Sequence, residues 1–395
     1  MGHEVAVRAI SVYLPDGVLD NAELVRQFGT WTENKIYGKT GVSERRVVGD
    51  EKVSDLAAAA GERLFEEHGI DRGSIDFLLL CTECPDYFLP ATACIVQNRL
   101  GLRKDTGALD YNLGCSGFVY GLALAKGLVL GGVARRVLLI TAETITRTIH
   151  PQDKSTRTLF GDAAAATLVE ASAERGIGEF VLGTDGSGAE RLIIPAGAWA
   201  RPSSPETRVE TKNKWGNVRT PENLYMDGPE ILKFSMEVAP DCMNDTLERN
   251  GTSLEALRLV VLHQASHMML VKLREVLAIP EEKFVFNIEK YGNTVSSTIP
   301  IALYDSMRSG RLGKGDSVLV MGFGVGLVTA LQGLAPIEDL LTPGLDSLAA
   351  SGLALMALAH LLAALGAFLD LPLAWPVALA NTVGFWLAGA GMWFG

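Results

Sequence analysis

The chain has 395 residues, of which 48% are hydrophobic and 21% charged, and its formal net charge at pH 7 is −11. This length accommodates two ordinary domains or one large α/β unit built from two halves. The negative net charge argues against a nucleic-acid-binding surface, which requires an excess of Lys and Arg. Five cysteines without disulfide-like spacing, and no signal peptide at the start, predict a cytoplasmic protein.

The first part of the chain alternates strand-like and helix-like segments. Apolar runs predict strands over residues 5–13, 75–81, 136–141 and 163–170. Helical spacing predicts helices over residues 53–68, 92–100 and 117–131. Ser54 is the expected N-cap of the first of these helices, and Gly69 and Gly101 are expected to end the first two.

The same order of elements returns after an irregular, charged connector at 185–222. Helices are predicted over 228–250, 266–277 and 299–310, and strands over 257–262, 284–288, 317–321 and 326–332. Two successive βαβ-rich halves of about 160 residues predict an internal duplication, folded as two abutting sheets with helices between and outside them. Only the order of elements repeats, since the halves show no strong residue-level identity.

Cys115 lies in the segment 112–121 (NLGCSGFVYG), where a strand-like run gives way to a helix-forming stretch. A thiol at a helix N-terminus lies close to unpaired N–H groups and to the positive end of the helix macrodipole. Both stabilise the thiolate, which is the nucleophilic form. The alternative is a structural cysteine buried at a strand–helix junction. A second cysteine motif, Cys81-x-x-Cys84, ends an apolar run and has no second pair, so we predict no metal or redox role for it.

Three further stretches place polar groups at the ends of predicted strands. His263 precedes a helix, Asn293 lies in a Tyr-Gly-Asn-Thr sequence, and the glycines of 321–326 (MGFGVG) let backbone N–H groups approach a ligand. Each stretch alone is also typical of a core histidine, a turn or a glycine-rich hairpin. Strand ends converge on one crevice in α/β proteins, so together these groups suit acyl transfer through a thioester on Cys115.

Six short motifs carry a resemblance to a known family. They are 39–46 (KTGVSERR), 112–121 (NLGCSGFVYG), 159–162 (LFGD), 263–265 (HQA), 291–294 (YGNT) and 322–326 (GFGVG). In this order and spacing, over roughly residues 4–335, the chain resembles the 3-oxoacyl-[acyl-carrier-protein] synthase III family, the ketoacyl synthases III of the thiolase superfamily. The resemblance implies a thiolase-like α/β fold of two duplicated αβαβα halves. We expect them at 1–172, with the nucleophile, and at 173–335, with the His and Asn.

The resemblance also implies a reaction, a decarboxylative Claisen condensation that yields a 3-oxoacyl thioester. Cys115 would take an acyl group from a primer thioester, while His263 and Asn293 stabilise the enolate that malonyl-ACP forms on losing carbon dioxide. The backbone N–H groups of Cys115 and Val325 would form the oxyanion hole. No metal or redox cofactor is expected, because loss of carbon dioxide drives carbon–carbon bond formation. The implied partners are acyl carrier protein, acyl-CoA or acyl-ACP, and a second copy of the chain.

Other residues are candidates for binding the substrate or its carrier. For the four cationic ones, an ordinary role as solvated surface charge fits the sequence equally well. They are Lys39, Lys154, Arg157, Lys272, Phe323 and Gly324. Lys35 stands where the family has a Trp that stacks on adenine, and Met268 where an Arg is expected, which favours a carrier-protein or atypical donor over tightly bound CoA. Leu89 replaces a Phe that limits primer size and would project into the partner's pocket, which indicates a primer other than acetyl.

The C-terminal tail, residues 336–395, has a different composition from the rest of the chain. It contains no Lys or Arg, and uncharged runs cover 347–369 and 371–395. A helix over the first run would span about 34 Å, enough for the hydrocarbon core of a bilayer. We therefore predict a hydrophobic hairpin of two transmembrane helices that holds a cytoplasmic catalytic domain at the bacterial inner membrane; the alternative is a buried helical pair.

Two other functions stay open at this point. One is an acyltransferase that moves the acyl group from Cys115 to a hydroxyl or amine. The other is a membrane-tethered binding scaffold that has lost turnover. The presence of both His263 and Asn293 beside the cysteine favours decarboxylative condensation over either alternative. The pathway and the length of the primer chain do not follow from the sequence.

Overall fold

The computed structural model describes residues 4–173, 176–324 and 326–332, the last range for its backbone only. All of these residues belong to one compact unit that ends at Ala335. Within these ranges, none of the helices combines the length and the apolar character that a membrane span requires. The predicted C-terminal hairpin at 336–395 lies outside the described residues, and the proposed boundary between residues 172 and 173 stays a prediction.

The strands are numbered in chain order, and most of them belong to two mixed sheets. They are β1 (Glu4–Tyr13), β2 (Gly17–Asp20), β3 (Glu44–Val47), β4 (Phe77–Cys81), β5 (Gly107–Tyr111), β6 (Arg136–Glu143), β7 (Ala163–Ser172), β8 (Ile177–Leu182), β9 (Leu192–Ile193), β10 (Thr211–Lys212), β11 (Val218–Arg219), β12 (Tyr225–Met226), β13 (Leu259–Leu262), β14 (Val318–Gly324) and β15 (Gly326–Gln332). The three short pairs β2–β3, β9–β12 and β10–β11 lie outside the two sheets.

The α-helices follow most of the predicted ranges to within one or two residues. They are α1 (Asn21–Phe28), α2 (Glu33–Thr40), α3 (Val53–His68), α4 (Thr92–Arg99), α5 (Gly117–Leu130), α6 (Lys154–Arg157), α7 (Gly228–Arg249), α8 (His267–Val276) and α9 (Thr298–Arg308). The predicted cap of α3 was wrong. The helix begins two residues earlier than a Ser54 cap requires, with Lys52 at the cap position and the Asp55 carboxylate accepting the Lys52 N–H.

The two sheets repeat the same pattern of strand pairing. The first has the order β1-β7-β6-β4-β5, in which the β1–β7 and β7–β6 pairs are antiparallel and the other two parallel. The second has the order β8-β15-β14-β13, with two antiparallel pairs followed by a parallel one. The predicted repeat is therefore seen in the pairing of the strands, although the sequence analysis did not predict β8, which takes the edge position that β1 has in the first sheet.

Among the described residues, the second sheet has no full counterpart of the edge strand β5, and the strand predicted over residues 284–288 was wrong. Phe284 makes only an isolated parallel bridge to Val260, beside β13. Beyond it, the Asn287 N–H donates to the side-chain oxygen of Gln264, 3.0 Å away, instead of to a neighbouring strand. Because a side chain occupies the hydrogen-bonding edge, the backbone there does not extend into a ladder.

Helices fill the space between the sheets and cover their outer faces. One core cluster joins α5 and α9 to both sheets, through residues such as Phe118, Ile299, Leu139 and Val261. Two further clusters lie on the outer faces, with α3 and α4 against the first sheet and α7 and α8 against the second. The result is a five-layer α-β-α-β-α arrangement in which the ends of β5 and β13 approach the same region.

Candidate active site

Cys115 lies between the carboxyl end of β5 and the first residue of α5, where the sequence predicted a strand–helix junction. Strand β14 passes directly against it. A Cβ placed on Gly322 would lie 2.7 Å from the Cys115 carbonyl oxygen, and one on Gly324 would lie 3.5 Å from the Cys115 Cβ. Only glycine at position 322 permits so close an approach, so the glycine-rich motif serves to bring β14 up to the cysteine.

The electrostatic surroundings of Cys115 differ from the sequence-based expectation of a favoured thiolate. Burial raises the pKa of the Cys115 thiol above its ordinary value, and the carboxylates of Glu83 and Glu143 raise that pKa further. These effects oppose the N-terminus of α5, which favours the thiolate. The expectation that position alone lowers the pKa was therefore wrong, and the thiol needs a reaction step that removes its proton.

His263 follows β13 directly and is almost fully buried. Its ring Nδ1 is 2.7 Å from the Thr298 Oγ1, whereas its Nε2 is buried and has no hydrogen-bond partner among the described residues. Burial lowers the pKa of His263 to about 3, so the imidazole is neutral at physiological pH. A neutral ring with one free nitrogen can donate or accept a single hydrogen bond without bringing a charge into the cavity.

Asn293 is buried and held by its backbone and its side chain together. The Asn293 N–H donates to the Leu159 carbonyl at 2.9 Å, and the Gly161 N–H donates to the Asn293 carbonyl at 3.0 Å. The side-chain oxygen accepts the Val295 N–H at 2.9 Å. Because an N–H needs an acceptor, this contact fixes which amide atom is oxygen and leaves the Asn293 Nδ2 group as a hydrogen-bond donor.

Cys115, His263 and Asn293 line one cavity of about 720 Å³. Its inner wall is apolar, and its exposed members include two lysines and a methionine. The apolar members include Leu159, Met226, Ile231, Leu232 and Met269, and the exposed ones include Lys35, Lys39, Trp215 and Met268. Such a mostly apolar cavity with a few convergent polar groups is typical of a small-molecule site.

The predicted binding residues divide into two groups. Lys39, Lys154, Phe323 and Gly324 line the cavity. Arg157, Lys272 and Leu89 do not: Arg157 is partly buried beside it, Lys272 is exposed on α8, and Leu89 is 82% exposed. Val325, the expected second member of the oxyanion hole, lies outside the described residues.

Sequence reasoning missed several residues that support the site. Trp31 carries the ammonium groups of Lys35 and Lys39 over its ring, at 4.9 and 5.6 Å from the centroid. Thr298 contacts His263, and Glu143 contacts the turn that follows Asn293. Trp31 lies just before α2, which contains both lysines, so the first contact is local in the sequence; the other two join distant parts of the chain and leave no local pattern.

Two family models match the chain. The model for 3-oxoacyl-[acyl-carrier-protein (ACP)] synthase III matches residues 109–186, and the model for its C-terminal part matches residues 247–334. The first of these segments contains Cys115, and the second contains His263 and Asn293.

Named relatives and solved structures agree with these matches. The beta-ketoacyl-[acyl-carrier-protein] synthase III of Caldanaerobacter subterraneus subsp. tengcongensis is 38% identical over 320 residues, which cover 80% of this chain and 93% of the relative. A crystal structure of a 3-oxoacyl-(acyl-carrier-protein) synthase III is 45% identical with a TM-score of 0.82, covering 84% of this chain and all of that one. The priming beta-ketosynthase from the R1128 polyketide biosynthetic pathway is 30% identical with a TM-score of 0.74, covering 85% of this chain and 97% of its own.

The raised pKa of Cys115 predicts an unusual pH dependence of its alkylation by iodoacetamide. We expect the rate to keep rising above pH 9, since the thiolate fraction is small at neutral pH. The Glu83→Gln variant removes one of the two buried acidic groups that raise the pKa of the Cys115 thiol, and it should raise the rate at pH 8 by up to about 10-fold. Quantitative mass spectrometry of the peptide that contains Cys115 measures this rate separately from the other four cysteines.

The matched control is Glu66→Gln, which removes an exposed carboxylate from α3 and should leave the rate unchanged. A plateau below pH 8 in the unmodified protein, or equal rates in the two variants, would contradict this electrostatic account.

Proposed function

This chain belongs to the 3-oxoacyl-[acyl-carrier-protein] synthase III family of condensing enzymes, and we propose that Cys115, His263 and Asn293 carry out its reaction. The observation on which this rests is that a thiol, a neutral buried imidazole and an amide donor line the same apolar cavity. Acylation followed by carbon–carbon bond formation requires a nucleophile, which the thiol provides, and hydrogen-bond donors to an enolate, which the imidazole and the amide provide. We expect the chemistry to need no resident cofactor.

In the first step, the sulfur of Cys115 attacks the carbonyl carbon of a primer thioester. The new bond joins Sγ to the acyl carbon, the bond between that carbon and the carrier sulfur breaks, and the thiol proton leaves on the carrier's thiol. The backbone N–H groups of Cys115 and Val325 are the proposed donors to the oxyanion of the tetrahedral intermediate. For Val325 this assignment rests on the family resemblance alone.

In the second step, the malonyl thioester loses carbon dioxide. The electron pair of the broken carbon–carbon bond passes to an enolate, whose oxygen accepts hydrogen bonds from the His263 Nε2 and the Asn293 Nδ2. The enolate carbon then attacks the acyl carbonyl on Cys115, and the Cys115 sulfur leaves as a thiolate while the 3-oxoacyl thioester forms. Uptake of one proton from water restores the thiol. Donors in an apolar cavity stabilise the developing charge more strongly than they would in water.

We propose that Lys39 and Lys154 at the cavity contact the phosphate of a phosphopantetheine group carried by acyl carrier protein or CoA. Both lysines line the cavity together with Trp31 and Lys35. An ammonium group binds phosphate as a point charge, so it tolerates small shifts of the carrier. Arg157 and Lys272 lie outside the lining and stay candidates for the docking surface of the carrier protein.

The second candidate function is transfer of the acyl group from Cys115 to a hydroxyl or an amine, since the cavity also admits such acceptors. Decarboxylation of malonyl-ACP distinguishes the two. Replacing His263 by Ala should slow release of carbon dioxide from radiolabelled malonyl-ACP by about 10²- to 10³-fold, because it removes one donor to the enolate oxygen. Acylation of Cys115 by the primer should continue, since His263 acts in the later step.

Met226→Leu is the control, because it changes an apolar residue of the same cavity and should leave both rates within about two-fold. If the unmodified protein releases no carbon dioxide, the condensing function is wrong and transfer to a hydroxyl or an amine remains.

We further propose that the enzyme is a homodimer attached to a membrane by residues 347–395. The tail supports the attachment, because its uncharged runs at 347–369 and 371–395 are each long enough to span a bilayer as a helix. The exposed apolar residues Tyr87, Phe88 and Leu89 support the dimer, as does β5, which is an edge strand of the first sheet among the described residues. Leu89 would then reach into the partner's acyl pocket and limit the primer.

One truncated chain tests both features. We expect the full chain to float with membranes in a density gradient, whereas a chain ending at Ala335 stays in the soluble fraction with the light-scattering mass of two copies. The control is the full chain with Leu358→Lys and Leu362→Lys, since each charge at the centre of a span costs about 3 kcal/mol. Membrane flotation of the truncated chain would contradict the attachment, and a monomeric mass would contradict the dimer.

A further inference from the structure

The proposed role of His263 depends on where its single ring proton lies. A neutral imidazole has one N–H, so Nε2 donates to the enolate oxygen only if the proton is on Nε2 and Nδ1 is an acceptor. With the proton on Nδ1, the Nε2 lone pair would face the enolate oxygen and repel it. The tautomer of His263 therefore decides whether the ring stabilises the intermediate, and the partner of Nδ1 decides the tautomer.

That partner is the hydroxyl of Thr298, which has one hydrogen and two possible acceptors. The Thr298 Oγ1 lies 2.7 Å from the His263 Nδ1 and 3.2 Å from the Val295 carbonyl oxygen. A separation of 2.7 Å is typical of a hydroxyl donor, whereas N–H donors usually lie 2.9–3.0 Å from oxygen. The contact with Nδ1 is the shorter of the two, and a hydroxyl that donates to Nδ1 leaves the ring proton on Nε2.

From this geometry we infer that Thr298 is a positioning residue, which holds His263 in the tautomer with the proton on Nε2. This inference rests on the proposed role of His263 in decarboxylation. Thr298 itself does not line the cavity. Its hydroxyl acts through the imidazole ring, because the hydrogen bond that one ring nitrogen makes determines whether the other nitrogen carries the proton.

The turn that delivers Thr298 is held in place from several directions. Val295 has a φ of +55°, which a β-branched residue rarely adopts. Its N–H donates to the Asn293 side-chain oxygen, and the next residue, Ser296, donates from Oγ to the Glu143 Oε1 at 2.7 Å. The strained turn thus orients the Asn293 amide at one end and the Thr298 hydroxyl at the other.

Two substitutions of Thr298 test the inference. Thr298→Val keeps the shape but removes the hydroxyl, while Thr298→Ser keeps the hydroxyl. We expect the Val variant to release carbon dioxide from malonyl-ACP at least about 10-fold more slowly, with Cys115 acylation by the primer within about three-fold of the unmodified protein. The Ser variant should restore most of the decarboxylation. Ser306→Ala, which removes a buried hydroxyl farther along α9, should change neither rate.

A spectroscopic readout separates this inference from the proposed function. In the full chain with ¹⁵N-labelled histidine, the His263 signals are those lost in His263→Ala, and their shifts report which ring nitrogen carries the proton. We expect a protonated Nε2 in the unmodified protein and in Thr298→Ser, and a shift toward a protonated Nδ1 in Thr298→Val.

Three results would overturn the inference: a protonated Nδ1 in the unmodified protein, unchanged signals and decarboxylation in Thr298→Val, or equal losses in the Val and Ser variants. Absence of decarboxylation in the unmodified protein, with the expected NMR signals, would overturn the proposed function while leaving the tautomer assignment in place.

Discussion

The site depends on a short turn, residues 293–298, that is held in a conformation its own residues do not favour. The left-handed backbone at Val295 persists because the surrounding structure fixes the turn on both sides. The backbone of Asn293 pairs with the segment 159–161, and Ser296 bonds to Glu143 at the end of β6. The turn thereby connects Glu143, at the end of β6 in the first sheet, to His263, which follows β13 in the second sheet.

The cavity favours neutral groups at rest and stabilises negative charge only while it forms. Burial lowers the pKa of His263 and raises that of Cys115, so the imidazole and the thiol both prefer their uncharged forms. A site of this kind does not stabilise a permanent anion. Its fixed N–H groups interact strongly with an oxyanion or enolate that forms during the reaction. Because these interactions are stronger with the reacting species than with the bound substrate, they lower the activation barrier.

The sequence predicted the long, regular elements and the chemistry-bearing residues at their ends. Helix α3 and strands β6 and β13 follow local apolar spacing, and Cys115 and His263 stand directly beside such elements. The sequence did not predict the roles of Thr298 and Glu143, because their partners His263 and Ser296 lie 35 and 153 residues away in the chain. The failed strand at 284–288 has a similar cause, since a distant side chain, Gln264, takes the hydrogen bond that a strand partner would need.

The central claim is that Cys115 carries the acyl group that condensation consumes. Intact-protein mass spectrometry after incubation with a panel of acyl-CoA and acyl-ACP primers tests it most directly, followed by a chase with malonyl-ACP. The account predicts one adduct of the acyl mass, located on Cys115, absent from Cys115→Ala, and discharged by malonyl-ACP as a 3-oxoacyl thioester. An adduct that persists in Cys115→Ala, or one that malonyl-ACP does not discharge, would contradict it.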